Sequence, residues 1–288
     1  MQHPEVKAFL HAPSGTFSYV VWDPATSSAA IFDSVLDYDD ASGRTAHHSS
    51  DEIVSFVKDH GLCTSFIIDT HVHADHLSAM KRIQRQLGGK LCASEHIGAV
   101  QSHFGRLFNT DDHFACDGSQ FDHLFTDGET YRLGTIEARV IHTPGHTPAC
   151  MTHVIGDAAF VGDTLFMPDS GTARCDFPGG DAATLYRSIQ KIFTLPPNTR
   201  LFLCHDYKSP GRDEFVCETT VAAQRRDNIH IHDGIGEAEF VAMRSRRDAT
   251  LPMPKLILPS VQVNMRAGQF PPAEGNGVHY LKIPLNAI

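Results

Sequence analysis

No run of eighteen or more apolar residues occurs in the chain, so no transmembrane helix is expected. The opening Met1-Gln2-His3-Pro4-Glu5 lacks the basic-then-apolar pattern of a secretory leader, which leaves a cytoplasmic location as the expectation. Positive charge is scarce. With 24 Lys and Arg against 34 Asp and Glu the formal net charge is −10, too acidic for sequence-independent contact with nucleic acid or an anionic membrane surface. The seven cysteines (63, 92, 116, 150, 175, 204, 217) are odd in number, dispersed, and form no C-x-x-C pair, which excludes a disulfide framework and a zinc ribbon. They read as small buried hydrophobes. What remains is 288 residues that are 41% hydrophobic, ample for a buried core in one large α/β domain or two smaller ones, and 19 histidines.

Apolar β-rich runs at 17–22 and 29–32, split by Asp23-Pro24-Ala25-Thr26-Ser27-Ser28, predict an opening hairpin. The stretch 37–48 reads as an irregular polar loop. Ser49-Ser50-Asp51-Glu52 predicts the start of a helix that stops at Gly61. A strand at 66–69 and a helix at 75–87 follow, then a strand at 91–93 and a helical segment at 96–104. Alternation at Ile136, Ala138 and Val140 predicts a strand over 135–142, and a hairpin is expected over 150–161 about Gly156-Asp157. Apolar spacing predicts a helix over 181–193, stopped by Pro196-Pro197, and a strand at 201–204. Helical composition is expected at 214–226 and 236–247, ahead of a Pro-rich tail over 251–288. In that tail Leu256-Ile257-Leu258, Val261 and Val263 suit either a dimer contact or a covering strand.

One stretch concentrates metal-binding chemistry. Thr70-His71-Val72-His73-Ala74-Asp75-His76-Leu77 carries three imidazoles and a carboxylate directly after the apolar run Phe66-Ile67-Ile68-Asp69. At a strand-to-helix turn, residues two apart can face the same way, so His71 and His73 can converge on one ion while Asp75 and His76 face a neighbouring position. Neutral imidazole suits Zn, Fe, Ni and Cu, and the carboxylate adds charge compensation. Further ligand types recur at predicted strand ends: His146 in Thr143-Pro144-Gly145-His146-Thr147, Asp163 in Gly162-Asp163-Thr164-Leu165, and His205 in His205-Asp206-Tyr207.

The set and order H-x-H-x-D-H, T-P-G-H-T, G-D-T-L and H-D resemble the metallo-β-lactamase superfamily over about residues 15–210. The resemblance implies an αββα sandwich with a metal site along one edge. It divides the chain into a catalytic domain at 1–210 and an extension at 211–288 packed on the same domain and contributing to a glutathione site. In the superfamily's two-metal members, residues matching His71, His73 and His146 hold one ion, those matching Asp75, His76 and His205 the other, and Asp163 bridges. A site of that kind makes a hydroxide nucleophile for ester or thioester hydrolysis.

The segment Gly171-Thr172-Ala173-Arg174-Cys175-Asp176-Phe177-Pro178-Gly179-Gly180-Asp181, the trio His205-Asp206-Tyr207 and the tail's Asn264-Met265-Arg266-Ala267-Gly268 resemble the persulfide dioxygenase branch. Thr172-Ala173-Arg174-Cys175 departs from the Cys-Gly-Arg-Thr of some members. That branch implies one Fe(II) on His71, His146 and Asp163, with His73, Asp75, His76 and His205 orienting ligands and water, and oxidation of glutathione persulfide by O₂ to sulfite. The alternative is a dizinc thioester hydrolase similar to glyoxalase II; a relic site in a binding protein is a third reading. Ligand type alone suits both metals.

The implied substrate carries two carboxylates, for which Arg174, Arg212, Arg244 and Arg246 are candidate partners. The stretch 240–247 resembles the basic segment of glyoxalase II and reads equally as a solvated helix face. Tyr207 is a candidate proton donor to the sulfur or an oxygen, or a packed aromatic. A homodimer and a separate sulfurtransferase partner are expected.

Overall fold

The computed structural model describes residues 3–111 and 113–287. Its core is a pair of six-stranded sheets. The first runs in the order β1 (Glu5–His11), β2 (Thr16–Trp22), β3 (Ser28–Phe32), β6 (Cys63–Ile68), β8 (Lys90–Ser94) and β9 (His123–Phe125). The second is consecutive: β10 (Thr130–Leu133), β11 (Ile136–His142), β12 (Met151–Ile155), β13 (Ala158–Phe160), β14 (Arg200–Phe202) and β15 (Glu218–Thr220). A small third sheet joins β4 (Val35–Asp39), β5 (Arg44–Ala46) and β7 (Leu77–Ser78).

The period of two along each strand sorts the core into layers. From β2, β3 and β6, Tyr19, Val21, Ala30, Phe32 and Ile68 face Ala138, Val140, Ile155, Phe160 and Phe202 of the other sheet. Their neighbours Val20, Ile31 and Ile67 turn outward under α1 (His48–Asp59), α2 (Met80–Leu87), α3 (Ile97–Leu107) and α7 (Ile257–Asn264). Ala159 and Leu201 of the second sheet do the same under α4 (Ala182–Phe193), α5 (Val221–Asp227) and α6 (Glu237–Asp248). The result is an αββα sandwich. Asp23 closes one end of it. Its carboxylate, in the β2–β3 turn, accepts hydrogen bonds from the backbone N–H and hydroxyl of Thr135 at 2.7 and 2.8 Å, between β10 and β11.

Several elements differ from the sequence reading. The helix after the histidine turn starts at Met80 rather than Asp75, because residues 77–78 pair with Val35 and Leu36 of β4. The loop at 37–48 contains the β4–β5 hairpin. Helical composition at 214–226 resolves into β15, which pairs with β14, before α5 begins. The apolar tail residues form neither a strand nor an exposed contact: Ile257, Val261 and Val263 are buried in α7 against the chain's own core, which removes them as grounds for a dimer. Among the described residues no helix is long and apolar enough to cross a membrane.

Candidate metal centre

The histidine turn is shaped by a buried carboxylate at the end of the neighbouring strand. Asp33, following β3 in a left-handed conformation (φ 49°), accepts from the backbone N–H of Thr70 at 2.7 Å and from its hydroxyl at 3.1 Å. These bonds halt β6 and turn His71 off the sheet. Gly162 lets the end of β13 approach that turn. Its φ is +53°, and a Cβ there would lie 2.6 Å from Thr70 Oγ1, so Asp163 can face His71 only if residue 162 is glycine. Gly145 plays the same part for His146: a Cβ would lie 2.4 Å from the backbone of Leu185 in α4.

His71, His146 and Asp163 form one group, with ligand atoms all within 4.8 Å of one another. Asp163 Oδ2 lies 3.8 Å from His71 Nε2 and 3.7 Å from His146 Nε2, the separation of donors arranged about a common point rather than bonded to each other. His73, Asp75 and His76 form an adjoining group of the same compactness. His205 Nε2 stands between the two, 3.4 Å from Asp163 Oδ1 and 3.6 Å from Asp75 Oδ2.

Each imidazole is held from behind. His146 Nδ1–H donates to the Arg174 carbonyl at 2.7 Å and His76 Nδ1–H to the Leu77 carbonyl at 3.1 Å. The Thr70 hydroxyl, donating to Asp33, accepts from His71 Nδ1–H at 3.1 Å. The Thr16 hydroxyl donates to Asp75 at 3.1 Å and accepts from His205 Nδ1–H at 3.3 Å. His73 Nε2–H donates to Asp33 at 3.0 Å. In the neutral ring each such bond leaves the forward nitrogen with its lone pair, the tautomer a metal requires; His73, on a carboxylate, is the exception. His73 Nδ1, His76 Nε2, His205 Nε2 and Asp163 Oδ1 are buried with no hydrogen-bond partner among the described residues. Buried polar atoms are seldom left so, and four on one cluster fit a metal centre.

Electrostatics agree. Burial drives His71 well below the usual imidazole range and His76 down to about 3, so both rings are neutral at pH 7. Burial also opposes charge on His73, but Asp33 beside it prevails and raises it to about 9. Burial pushes the Cys175 and Cys204 thiols up, which makes them inert.

The arginines are mostly committed elsewhere. Arg244 is fully buried, its guanidinium on Asp248 at 2.6 Å and on the Thr172 carbonyl at 3.0 Å, so the reading of it as a substrate contact is corrected. Arg212 is shared between Asp169 and Asp206, and Arg174 is paired with both oxygens of Asp176 and with the Pro252 carbonyl. In both, the fork that would grip a substrate carboxylate already holds the protein's own. Arg246 is exposed. Tyr207 is 58% exposed, its ring stacked on His205 at 5.6 Å and set edge-on to Phe166 at 5.9 Å.

Two participants, Asp33 and Thr16, escaped the sequence reading, and a third, Asn264, entered it only within the tail motif, with no role assigned. Asp33 follows an apolar run, as Asp69 and Asp163 do, and that pattern was its only signal. Thr16 opens β2 with no motif around it. Asn264, at the end of α7, donates to the carbonyls of His73 and His76 at 2.9 and 2.8 Å and accepts from Ser78 N–H at 2.7 Å, holding the histidine turn by three bonds.

A sandwich whose strand ends gather imidazoles and carboxylates about shared points defines a metal-dependent αββα protein. The chain belongs to the Metallo-beta-lactamase superfamily, whose profile matches residues 12–205. A probable metallo-hydrolase of Burkholderia pseudomallei is 54% identical over 98% of this chain and 99% of its own length. Glyoxylase B2 of Dictyostelium discoideum is 46% identical, covering 99% and 98%. Mitochondrial persulfide dioxygenase ETHE1 of Mus musculus is 32% identical, covering 93% and 91%. The crystal structure of ETHE1 from Myxococcus xanthus superposes with a TM-score of 0.72 at 28% identity, covering 92% of this chain and 100% of that one. The persulfide dioxygenases are therefore homologues, alongside closer relatives with hydrolase-type names.

Proposed function

We propose that the chain is a persulfide dioxygenase carrying one Fe(II) on His71, His146 and Asp163, oxidising glutathione persulfide with O₂ and water to glutathione, sulfite and two protons. The observation that supports it is the neutral backing of this trio. Its rear nitrogens end on a hydroxyl and a backbone carbonyl, whereas His73 is engaged with the Asp33 carboxylate. His71, His146 and Asp163 would hold the iron, which would supply binding of O₂ and of a soft sulfur ligand, the chemistry of non-haem iron oxygenases. Similarity to ETHE1 along nearly the whole chain favours the same reading.

The protein's own groups would bind, orient and shield. Tyr207, exposed beside His205, carries a phenolic hydroxyl that can donate to the substrate sulfur or to an oxygen. Phe177, with its ring 5.9 Å from that of His146, gives the trio an apolar wall against water. With Arg174, Arg212 and Arg244 committed internally, Arg246 is the candidate left for a glutathione carboxylate. A separate sulfurtransferase would supply the persulfide.

A second reading, a dizinc thioester hydrolase, is favoured by the unpartnered forward nitrogens of His73, His76 and His205 and by the names of the closer relatives. Metal analysis of anaerobically purified protein, with O₂ uptake on adding glutathione persulfide, separates the two. The dioxygenase reading expects about one iron per chain and uptake abolished by Asp163→Ala. About two zincs per chain, thioester hydrolysis and no uptake would replace it with the hydrolase.

A further inference from the structure

The buried ion pair of α6 has no place in the reaction as described, yet it reaches the metal trio through one short loop. We infer that Arg244 and Asp248 are positioning residues for His146, acting through the backbone of residues 172–175. His146 depends on a single rear contact, the Arg174 carbonyl at 2.7 Å. That carbonyl lies in an irregular segment, outside any strand or helix, so neighbouring contacts must fix its direction.

The pair holds the segment on both sides of Arg174. Arg244 Nη1 donates to the Thr172 carbonyl at 3.0 Å, and Asp248 Oδ2 accepts from Cys175 N–H at 2.9 Å. Arg244 Nε and Nη2 both donate to Asp248 Oδ1, at 2.8 and 2.6 Å, locking the two anchors into one unit a single helical turn apart. The Arg244 and Asp248 side chains are 1% and 7% exposed, so solvent does not loosen the unit. An orienting partner one step behind a ligand controls how well that ligand's lone pair is aimed. Here the control is two steps long and originates in the C-terminal part of the chain. A buried charged pair costs desolvation and is weak evidence for stability alone, which leaves the geometry it imposes as its use.

The inference rests on His146 being a metal ligand and is the same for iron or zinc, dioxygenase or hydrolase. Its test is Co(II) binding to the full-length protein, followed by visible absorption against a competing chelator at a temperature well below unfolding. Arg244→Met should weaken Co(II) binding by about 10-fold or more, the scale of losing an outer partner. Arg244→Lys keeps the charge opposite Asp248 but lacks the fork, and should fold and bind Co(II) at an intermediate level. Phe240→Leu is the control: it loosens α6 in the core without removing either hydrogen bond from Arg244 and Asp248 to the loop, and Co(II) affinity should stay near wild type. Wild-type affinity in both Arg244 variants, or an equal loss in Phe240→Leu, would overturn the inference. So would a raised KM for glutathione persulfide with unchanged Co(II) affinity, which would return Arg244 to substrate binding. Failure of the wild-type protein to bind Co(II) would instead break the reading of the metal centre itself.

Discussion

The two halves of the histidine cluster use the same residue types and differ most in what stands behind His73. Behind His71 and His146 stand neutral acceptors, the Thr70 hydroxyl and the Arg174 carbonyl. Behind His76 and His205 stand neutral acceptors too, the Leu77 carbonyl and the Thr16 hydroxyl, but behind His73 stands the Asp33 carboxylate itself. A neutral backing fixes an imidazole's direction and leaves charge compensation to the metal and Asp163. An anionic backing already supplies negative charge, and on His73 it outweighs burial enough to favour the protonated ring. A six-residue motif therefore contains imidazoles in two electrostatic situations.

Unequal ligand loss would break this comparison most directly. Asp163→Ala or His71→Ala should remove the bound metal and lower turnover by at least about 100-fold, beyond the cost of an outer partner. His76→Ala should leave metal content per chain unchanged; a loss of half the metal would make the halves equivalent and the centre dinuclear. Atomic absorption on the purified variants decides between them.

Asp33→Ala tests the anionic backing itself. The substitution strands the Thr70 N–H and hydroxyl and the buried His73, and should cost about 3–5 kcal/mol by urea unfolding of the metal-free protein. A loss under about 1 kcal/mol would mean water takes over the carboxylate's role. Asn264→Ala strips the buried carbonyls of His73 and His76 of a donor and Ser78 N–H of its acceptor, and should cost about 2 kcal/mol in the same assay.

The smallest effect sharpens the contrast between the site and the far end of the sandwich. Hydrogen bonds from Thr135 lead in holding Asp23 at about 2, below the ordinary 3.8. A lowered carboxyl pKa stabilises the fold at pH above the ordinary value and loses that contribution as pH falls through the folded one. Asp23→Asn should therefore be less stable than wild type above pH 4, with the gap closing between pH 4 and 2 and metal binding untouched. A gap independent of pH would remove charge from the explanation.

How far the sequence carried the reading varies by residue. The clustering of candidate ligands was legible because they follow apolar runs at strand ends: Ile67-Ile68 before His71, Ala158-Ala159-Phe160 before Asp163, Leu201-Phe202-Leu203 before His205. The sandwich was legible from the resemblance those motifs carry. Arg244 was misjudged because arginines on an amphipathic helix look alike in sequence, and only packing against 172–175 separates the buried Arg244 from the exposed Arg246. The tail was misjudged because short apolar runs do not reveal whether they make strand or helix.

By itself the sequence determined which atoms are available to a metal and in what order along the chain, since that depends on local spacing and strand-end pattern. Tertiary structure alone decided which nitrogen of each imidazole faces forward, which carboxylate faces the cluster and which backs it, and which guanidinium is spent on the fold. Those choices depend on partners far apart in sequence, as Thr16 is from His205 and Asn264 from His73, and only folding brings such pairs within a hydrogen bond's length.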